Sequence, residues 1–299
     1  MSAVRILREE KGNVAVLFSL SLVSLLGFAG LVTDFGMVYV ERQALSNAVD
    51  AGALAGAAAF LGGLPAITQT ADRYVTQNGE PLGSVTFNAA TNMVTVQSEK
   101  RVPLYFARVF GVDQVSISAV SHAQAQTLIG GTGFVPIGVV QQNFHYGQLV
   151  QLSYAAGEGG QGNYGFLALG GTGASVLETN MMYGYSGTLH VGDSVESEPG
   201  VMTGPVATAM DARMSEGEGE DYTAANRSSP RVMILPVINA FPSNGRSSVT
   251  IVGFAAFFLE GISGEGGHQT IEGRFLQMVI SGETGSGPNF GLYGVRLDL

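Results

Sequence analysis

The chain has 299 residues, of which 43 are glycine, 45% are hydrophobic and 13% are charged. Such a composition has enough apolar surface to collapse, which excludes intrinsic disorder, and the glycines lack the period of three that collagen requires. The net charge is −10, from 14 Lys and Arg against 24 Asp and Glu, so nucleic acid is not expected as a partner, because phosphate binding needs clustered cations. There is no cysteine, which excludes disulfides, thiolate nucleophiles and cysteine-ligated metal sites.

An uncharged apolar run covers residues 14–33. As a helix it would be about 30 Å long, which matches the hydrocarbon core of a bilayer. A buried core helix seldom runs so far without a charged residue. The sequence therefore predicts a transmembrane helix whose lipid-facing anchor residues include Val14, Phe18, Leu22, Leu25, Leu26, Phe28 and Leu31.

The charges around this run predict its orientation. Arg5, Arg8 and Lys11 precede it, and by the positive-inside rule residues 1–13 are expected to form a cytoplasmic tail, with everything after Thr33 outside the cytoplasm. The alternative is a cleaved signal peptide. It is less favoured, because the nearest suitable cleavage site, around residues 51–53, lies well beyond the apolar run.

The helix is expected to continue outside the membrane over residues 34–63, since no proline occurs before Pro65. Ala48, Gly52 and Gly56 are spaced four apart and share one face, which would let another helix approach closely. The sequence leaves two possibilities open for this helix-packing face: a helix of another protein, or the rest of the same chain.

Small motifs in a fixed order surround the end of the apolar run. They resemble the N-terminal signature of the TadE/TadG-like Flp (tight adherence) pilus-assembly family, over about residues 12–125. The residues that carry the resemblance include Gly12, Asn13, Gly30, Asp34, Gly36, Arg42, Asn47 and Asp50.

The resemblance implies a single-pass component of the bacterial cytoplasmic (inner) membrane or of the pilus. Processed pilin-like members carry a glutamate five residues after the cleavage glycine, and that position here is Leu17. The chain is thus more similar to the unprocessed TadG type. The von Willebrand-like domain of larger TadG proteins is not apparent, since the DxSxS motif does not occur.

An α+β fold is expected outside the membrane. Residues 64–127 are predicted to form a small module in the order helix–strand–strand–helix–strand, with the second helix in the segment VPLYFARVFG, and residues 128–133 a linker. Residues 134–299 are predicted to form a β-rich barrel or sandwich with one helix near 205–217. The apolar segment at 249–262 is too short to span a membrane and is interpreted as one or two buried strands.

The sequence offers few groups for chemistry. Residues 157–162 match GxGxxG, but a β-like segment follows where a dinucleotide site needs a helix, so a hairpin loop is favoured. The acidic run at 216–221 lacks the register of a calcium loop, and His122, His145, His190 and His268 are far apart. We therefore expect no catalytic residues, no metal, no small-molecule cofactor and no enzymatic activity.

Together these observations predict a membrane-anchored, non-enzymatic component of a Tad/Flp-type pilus assembly or secretion machine. Its expected partners are the membrane and other pilus-assembly or pilin proteins, bound through helix packing and the β-rich domain. One alternative is a minor pilin incorporated in the fibre. Another is a membrane-stalked adhesin or carbohydrate-binding β domain, in which Phe144, Tyr146 and Tyr164 could form a sugar platform, although core or turn positions are favoured for these three residues.

Overall fold

The computed structural model describes residues 10–153, 164–198, 203–241, 246–263 and 270–298. Within them the chain folds as α+β, as the sequence predicts, with one long N-terminal helix followed by a β-rich region. The helices are α1 (Glu10–Ala58), α2 (Gly63–Gln77), α3 (Ala174–Tyr183) and α4 (Thr203–Glu216). The strands are β1 (Ser84–Asn88), β2 (Met93–Pro103), β3 (Gln114–Gly131), β4 (Ile137–Val140), β5 (Leu149–Ser153), β6 (Tyr164–Phe166), β7 (Leu189–His190), β8 (Ser194–Glu196), β9 (Val232–Ile238), β10 (Ser248–Ser263), β11 (Thr270–Leu276), β12 (Met278–Val279), β13 (Glu283–Gly285) and β14 (Leu292–Leu297).

Helix α1 is one uninterrupted element of 49 residues, about 74 Å long. This confirms the predicted continuation of the apolar helix beyond residue 33. A short 3-10 turn, Phe60–Gly62, follows it, and Gly63 adopts a φ of 71°, which a residue with a side chain rarely reaches. The chain thereby reverses, so that α2 packs back along the C-terminal part of α1.

The first sheet has the strand order β1-β2-β3-β14-β12, and β7 and β13 also pair with β3. Neighbouring strands are antiparallel except for β12 and β14. The C-terminal part of α1 and helix α2 cover one face of this sheet, in a core to which Val49, Ile67, Val96 and Tyr293 contribute. The folded module at the end of α1 is therefore closed by the last strand of the chain.

The second sheet has the strand order β5-β11-β10-β9-β4-β6, with β8 paired to one end of β10. Alternate residues of β9 enter two different cores. Met233 and Leu235 pack in the core that α3 and α4 share. Ile234 packs in a second core together with Leu128 of the first sheet, so the two sheets are joined through buried apolar contacts.

The predicted second helix of the small module is wrong. Residues up to Pro103 continue β2, and the chain then reverses through a single 3-10 turn, Ala107–Phe110, into β3. Pro103 is tolerated in β2 because the pairing with β1 ends at Gln97, so its missing N–H is not required there. The turn closes with a hydrogen bond of 2.9 Å from Leu104 N to Asp113 O.

The predicted linker at 128–133 is also wrong, because β3 runs through to Gly131 and Leu128 is buried in the core between the sheets. Helix α3 was not predicted, whereas α4 and the buried strand at 249–262 are confirmed as α4 and β10. The GxGxxG residues lie outside the described residues. The strands on either side of them, β5 and β6, lie at opposite edges of the second sheet, so they do not form the expected hairpin with each other.

Candidate functional site: the membrane-proximal part of α1

The N-terminal half of α1 is exposed from Val14 onwards, except at Gly30 and Asp34, which are buried. Its large apolar side chains are exposed by 45–70%, and these include all the predicted anchor residues: Val14, Phe18, Leu22, Leu25, Leu26, Phe28 and Leu31. The hydroxyls of Ser19, Ser21, Ser24 and Thr33 donate to carbonyls one turn back, which satisfies them without water. Such a surface is unfavourable in water, and α1 is long and apolar enough to cross a membrane.

Asp34 is the first charged residue after the apolar run, and it is buried, with 5% exposed. Its two carboxylate oxygens accept three backbone hydrogen bonds from the turn between β2 and β3. The donors are Tyr105 N at 2.9 Å, Phe106 N at 3.0 Å and Ala107 N at 2.7 Å. Asp34 thus caps the 3-10 turn and holds it against α1.

Gly30, one turn before Asp34, is the point of closest approach between α1 and this turn. A Cβ added at Gly30 would lie 2.5 Å from the ring of Phe106, closer than atoms can pack. A glycine here allows the aromatic ring to lie against the helix backbone. Gly30 and Asp34 therefore form one contact, in which the glycine makes room for a side chain and the carboxylate binds the backbone.

Lys100 links α1 to the sheet farther from the apolar run. Its Nζ lies 2.5 Å from Glu41 of α1 and 2.6 Å from Glu80, whose side chain is 5% exposed. Burial alone would lower the pKa of Lys100, but the hydrogen bonds to the two carboxylates outweigh it, so the pKa of Lys100 lies above its ordinary value. The ion triad fixes β2 against α1 about two turns beyond Asp34.

Two family models match this part of the chain. The TadE/G-like Flp pilus-assembly model matches residues 12–59, and the Tad-like Flp pilus-assembly model matches residues 36–123. Residues 12–123 are therefore similar to Tad-type pilus-assembly proteins. This confirms the resemblance found in the sequence and supports involvement in pilus assembly. No curated protein and no solved structure matches the chain significantly.

The Tad signature residues do not all serve the same contact. Gly30 and Asp34 hold the turn, whereas Gly36 and Arg42 are exposed and Asp50 is half-buried. Asn47 accepts a hydrogen bond of 2.9 Å from Gln43 on the helix surface. Arg5 and Arg8 lie outside the described residues, and Lys11, Gly12 and Asn13 lie in the first turn of α1.

The small-residue face of the Tad region is covered by the chain itself. Ala48 is fully buried, and a Cβ at Gly52 would lie 2.6 Å from Val75 of α2. A Cβ at Gly56 would lie 3.3 Å from Ile67 and from Val94 of β2. Of the two possibilities that the sequence leaves open, the structure supports packing within the same chain.

The three aromatic residues of the candidate sugar platform do not form an exposed surface. Tyr164 is fully buried, and Phe144 stacks on Phe275 with ring centroids 4.0 Å apart. Tyr146 is half-buried beside the same core. These aromatic residues stabilise the second sheet, and the interpretation of them as an exposed platform is wrong.

The remaining polar candidates are dispersed. His190 lies 3.7 Å from Asp193 and 3.3 Å from Glu283, in a half-exposed position. In the described part of the chain, no three His, Asp or Glu residues converge on a point where they could hold a metal ion.

Arg213 is buried and donates to the carbonyls of Met181 and Pro230, and burial lowers its pKa to about 10. Its position is explained by joining α4 to α3.

Sequence reasoning named Asp34 only as part of a signature and missed its partners. A signal existed, because a lone carboxylate at the end of an apolar helix must either reach water or find donors. Which donors it finds depends on the β2–β3 turn, 71 residues away in the chain. The ion triad of Lys100, Glu41 and Glu80 was likewise missed, since three charges spread over 60 residues carry no spacing pattern.

Proposed function

We propose that this protein is a membrane-anchored, non-enzymatic component of a Tad/Flp-type pilus assembly or secretion machine. In this proposal it spans the bacterial cytoplasmic membrane once and acts outside the cytoplasm through protein–protein contacts. The observation that carries the proposal is the continuity of α1. One helix runs from the exposed apolar segment into the core of the Tad-type module, so the anchor and the folded part form a single rigid unit.

The orientation in the proposal rests on charge. Arg5, Arg8 and Lys11 precede the apolar run, whereas Arg42 is the only cation that follows it closely. Cations flanking a span are retained on the cytoplasmic side. The N-terminus is then cytoplasmic, and both sheets lie outside.

The proposed absence of catalysis rests on the family and on the roles of the buried polar groups. Asp34, Lys100 and Arg213 each hold two elements of the fold together. Their environments are explained by structure, without a reaction. The β-rich part, which the two family models do not cover, is proposed as the contact surface for other pilus components.

The proposal is tested by deleting the chromosomal gene and complementing it with variants. Leu22→Arg and Leu25→Arg together place two charges in the centre of the exposed apolar segment, which opposes membrane insertion. The matched control is Tyr183→Arg, at a residue that is 79% exposed on α3. We expect the double variant to leave the membrane fraction and to reduce sheared pili to the level of the deletion, while the control behaves as wild type.

Topology is tested with alkaline phosphatase fused after residue 299, since this enzyme is active only outside the cytoplasm. Active phosphatase in the wild-type fusion supports the proposed orientation. Wild-type numbers of pili in the deletion strain, or an inactive fusion that is stably present in the membrane, would contradict the proposal.

The minor pilin is the second candidate function. The observation that favours it is the exposed apolar surface of α1, which other helices in a fibre core could cover as well as lipid. The two functions differ in the fate of the N-terminus: a pilin would begin at Asn13 after cleavage and would be found in sheared fibres. Leu17, at the position of the glutamate in processed members, disfavours this cleavage.

A further inference from the structure

The turn between β2 and β3 exposes an unusual concentration of apolar side chains. Val109 and Phe110 are exposed by 82% and 85%, Tyr105 by 63%, and Phe106 and Val112 by about half. The turn is nevertheless well formed. Backbone hydrogen bonds from Val109 to Phe106 and from Gly111 to Arg108 close it, and Asp34 caps it. A well-formed turn that exposes Tyr105, Val109, Phe110 and Val112 is suited to bind an apolar surface.

The position of the turn along α1 indicates which surface. Phe106 lies against Gly30, which is three residues, or about 5 Å, before the end of the apolar run. The exposed residues of α1 at this level, Phe28, Leu31 and Val32, belong to the segment that would face lipid. The apolar side chains of the turn are therefore continuous with the membrane-facing surface of the helix.

Because Asp34 is buried, its charge does not interrupt the apolar surface of α1, which continues beyond residue 33. Its charge faces the turn, and the next exposed side chains, Phe35, Tyr39 and Val40, are apolar again. From Val14 to Val40 the apolar surface is about 40 Å long, close to the ~40–45 Å of a bilayer with its headgroup regions. The turn at residues 104–112, which packs against Gly30 and Asp34, then lies near the headgroup–acyl boundary of the outer leaflet rather than above the membrane.

The charged residues near the turn are consistent with a position at the membrane–water boundary. Arg108 is exposed and pairs with Asp113 at 3.1 Å, on the side of the turn that leads back into β3. Tyr105 and Phe106 are aromatic, as is common for residues at the membrane–water boundary. A cationic side chain beside aromatic and aliphatic side chains is typical of elements that lie in the interface.

We propose that residues 104–112 form a second membrane contact, in which Val109 and Phe110 insert into the headgroup–acyl boundary of the extracytoplasmic leaflet beside α1. This proposal rests on the proposed function only in requiring that α1 spans the bilayer. A single helix leaves a protein free to rotate about its axis. A second contact held by Asp34 and Gly30 fixes how the folded module is presented above the membrane.

The test exploits the absence of cysteine from the chain. Single-cysteine variants of the full-length protein, Phe110→Cys, Phe28→Cys and Tyr183→Cys, are labelled with an environment-sensitive fluorophore. They are then reconstituted in nanodiscs of phosphatidylethanolamine and phosphatidylglycerol. Quenching is measured with aqueous iodide, with nitroxide placed near the lipid headgroup, and with nitroxide placed deep in the acyl chain. Tyr183 is the matched control, because it is nearly as exposed as Phe110 but belongs to α3.

We expect the label at residue 110 to lose most of its quenching by iodide and to be quenched best by the shallow nitroxide. The label at residue 28 should be quenched best by the deep nitroxide, and the label at residue 183 only by iodide. Quenching of label 110 by iodide to the same degree as label 183, with label 28 in the bilayer, would overturn this proposal and leave the anchor intact. If label 28 is itself quenched by iodide, both the anchor and this proposal fail.

Protein contacts are distinguished in the same experiment. A label at residue 110 that is shielded from iodide but not quenched by either nitroxide would be covered by a second copy of the chain, which would overturn the lipid contact. A further pair of variants carries the label at residue 112. Phe110→Asp should restore most of the iodide quenching there, whereas Phe110→Leu should not; equal quenching in the two variants would contradict insertion of residue 110.

Discussion

Asp34 shows how a single carboxylate can sit at the boundary of an apolar helix without facing lipid. A charge that leaves water is tolerated only when hydrogen bonds replace its hydration, and three backbone N–H groups do so here. The same bonds satisfy donors at the start of the 3-10 turn that would otherwise lack partners. The residue thus joins the exposed apolar helix and the folded module at one point.

Replacing Asp34 by Asn tests this role. One carbonyl oxygen cannot accept the three bonds that two carboxylate oxygens accept, so the turn should be released from α1. We expect trypsin to cleave after Arg108 several times faster than in the wild type, measured by mass spectrometry on the full chain in detergent. Asp50→Asn, at a half-buried position of the same helix, is the control and should leave the rate unchanged. An unaltered rate in Asp34→Asn would contradict the capping role.

Gly52 and Gly36 lie on the same helix, and substitutions at the two positions can be compared directly. Val75 lies 2.6 Å from a Cβ built at Gly52, whereas within the described residues nothing lies within 4 Å of one built at Gly36. Gly52→Leu should lower the free energy of unfolding by about 1–3 kcal/mol through overpacking. Gly36→Leu should lower it by no more than a few tenths, since leucine favours helices. Thermal unfolding of the full chain in detergent measures both; equal stability of the two variants would show that α2 does not pack on this face.

At the level of elements, the ion triad couples β2 to α1. Lys100→Met would leave Glu80 buried and unpaired. We expect a loss of about 2 kcal/mol, less than the roughly 3–5 kcal/mol for a fully buried pair, because Glu41 is partly exposed. The double variant Lys100→Met with Glu80→Gln should recover part of this loss in a double-mutant cycle. An additive double variant would contradict the coupling.

The sign of the pH dependence follows from the raised pKa of Lys100. A cation whose pKa is higher in the folded than in the unfolded state stabilises the fold fully below its unfolded pKa, near 10.5. This stability is lost as the pH rises through the folded pKa. Stability differences between wild type and Lys100→Met should therefore be constant at neutral pH and shrink only above about pH 10.5.

The elements differ in how far the sequence predicts them. Helix α1, β10 and α4 were predictable because each carries a long uninterrupted pattern, and α1 has no proline within it. The segment from Val102 to Gly111 was interpreted as a helix because Pro103 would stand in its first turn. It forms a turn because Pro103 is paired with β3 as the last residue of β2. In addition, backbone N–H groups of the segment donate hydrogen bonds to the carboxylate of Asp34. Helix α3 is short and flanked by glycines, and its only signal was the spacing of Leu177 and Met181.

At the scale of the molecule, the two sheets are not independent domains. β14 returns from the β-rich region to pair with β3, and Tyr293 packs edge-on against Phe60 near the end of α1, with centroids 4.8 Å apart. No local pattern in the last 30 residues could have predicted this, because it depends on pairing across more than 160 positions. The same holds for the contact between Asp34 and the turn, whereas the long apolar helix itself was evident from hydropathy.

Substitution of Tyr293 tests whether the return of β14 to the first sheet stabilises both parts of the chain. Its side chain is 6% exposed, so Tyr293→Ala should lower the free energy of unfolding by about 3 kcal/mol and destabilise the Tad-type module together with the β-rich part. Tyr183→Ala, at an exposed tyrosine, should change it by less than about 0.5 kcal/mol. Hydrogen exchange of the full chain in detergent reports both sheets separately. Loss of protection confined to β12–β14 would show that the module folds without its last strand.

The central claim is that this chain remains an anchored assembly component, and the mass and N-terminal sequence of the native protein in fractionated cells test it most directly. We predict an intact N-terminus in the membrane fraction. A chain that begins at Asn13 and is recovered in sheared fibres would make it a pilin and contradict the anchor. A chain cleaved near Ala53 and released would mean that the apolar helix serves only for export.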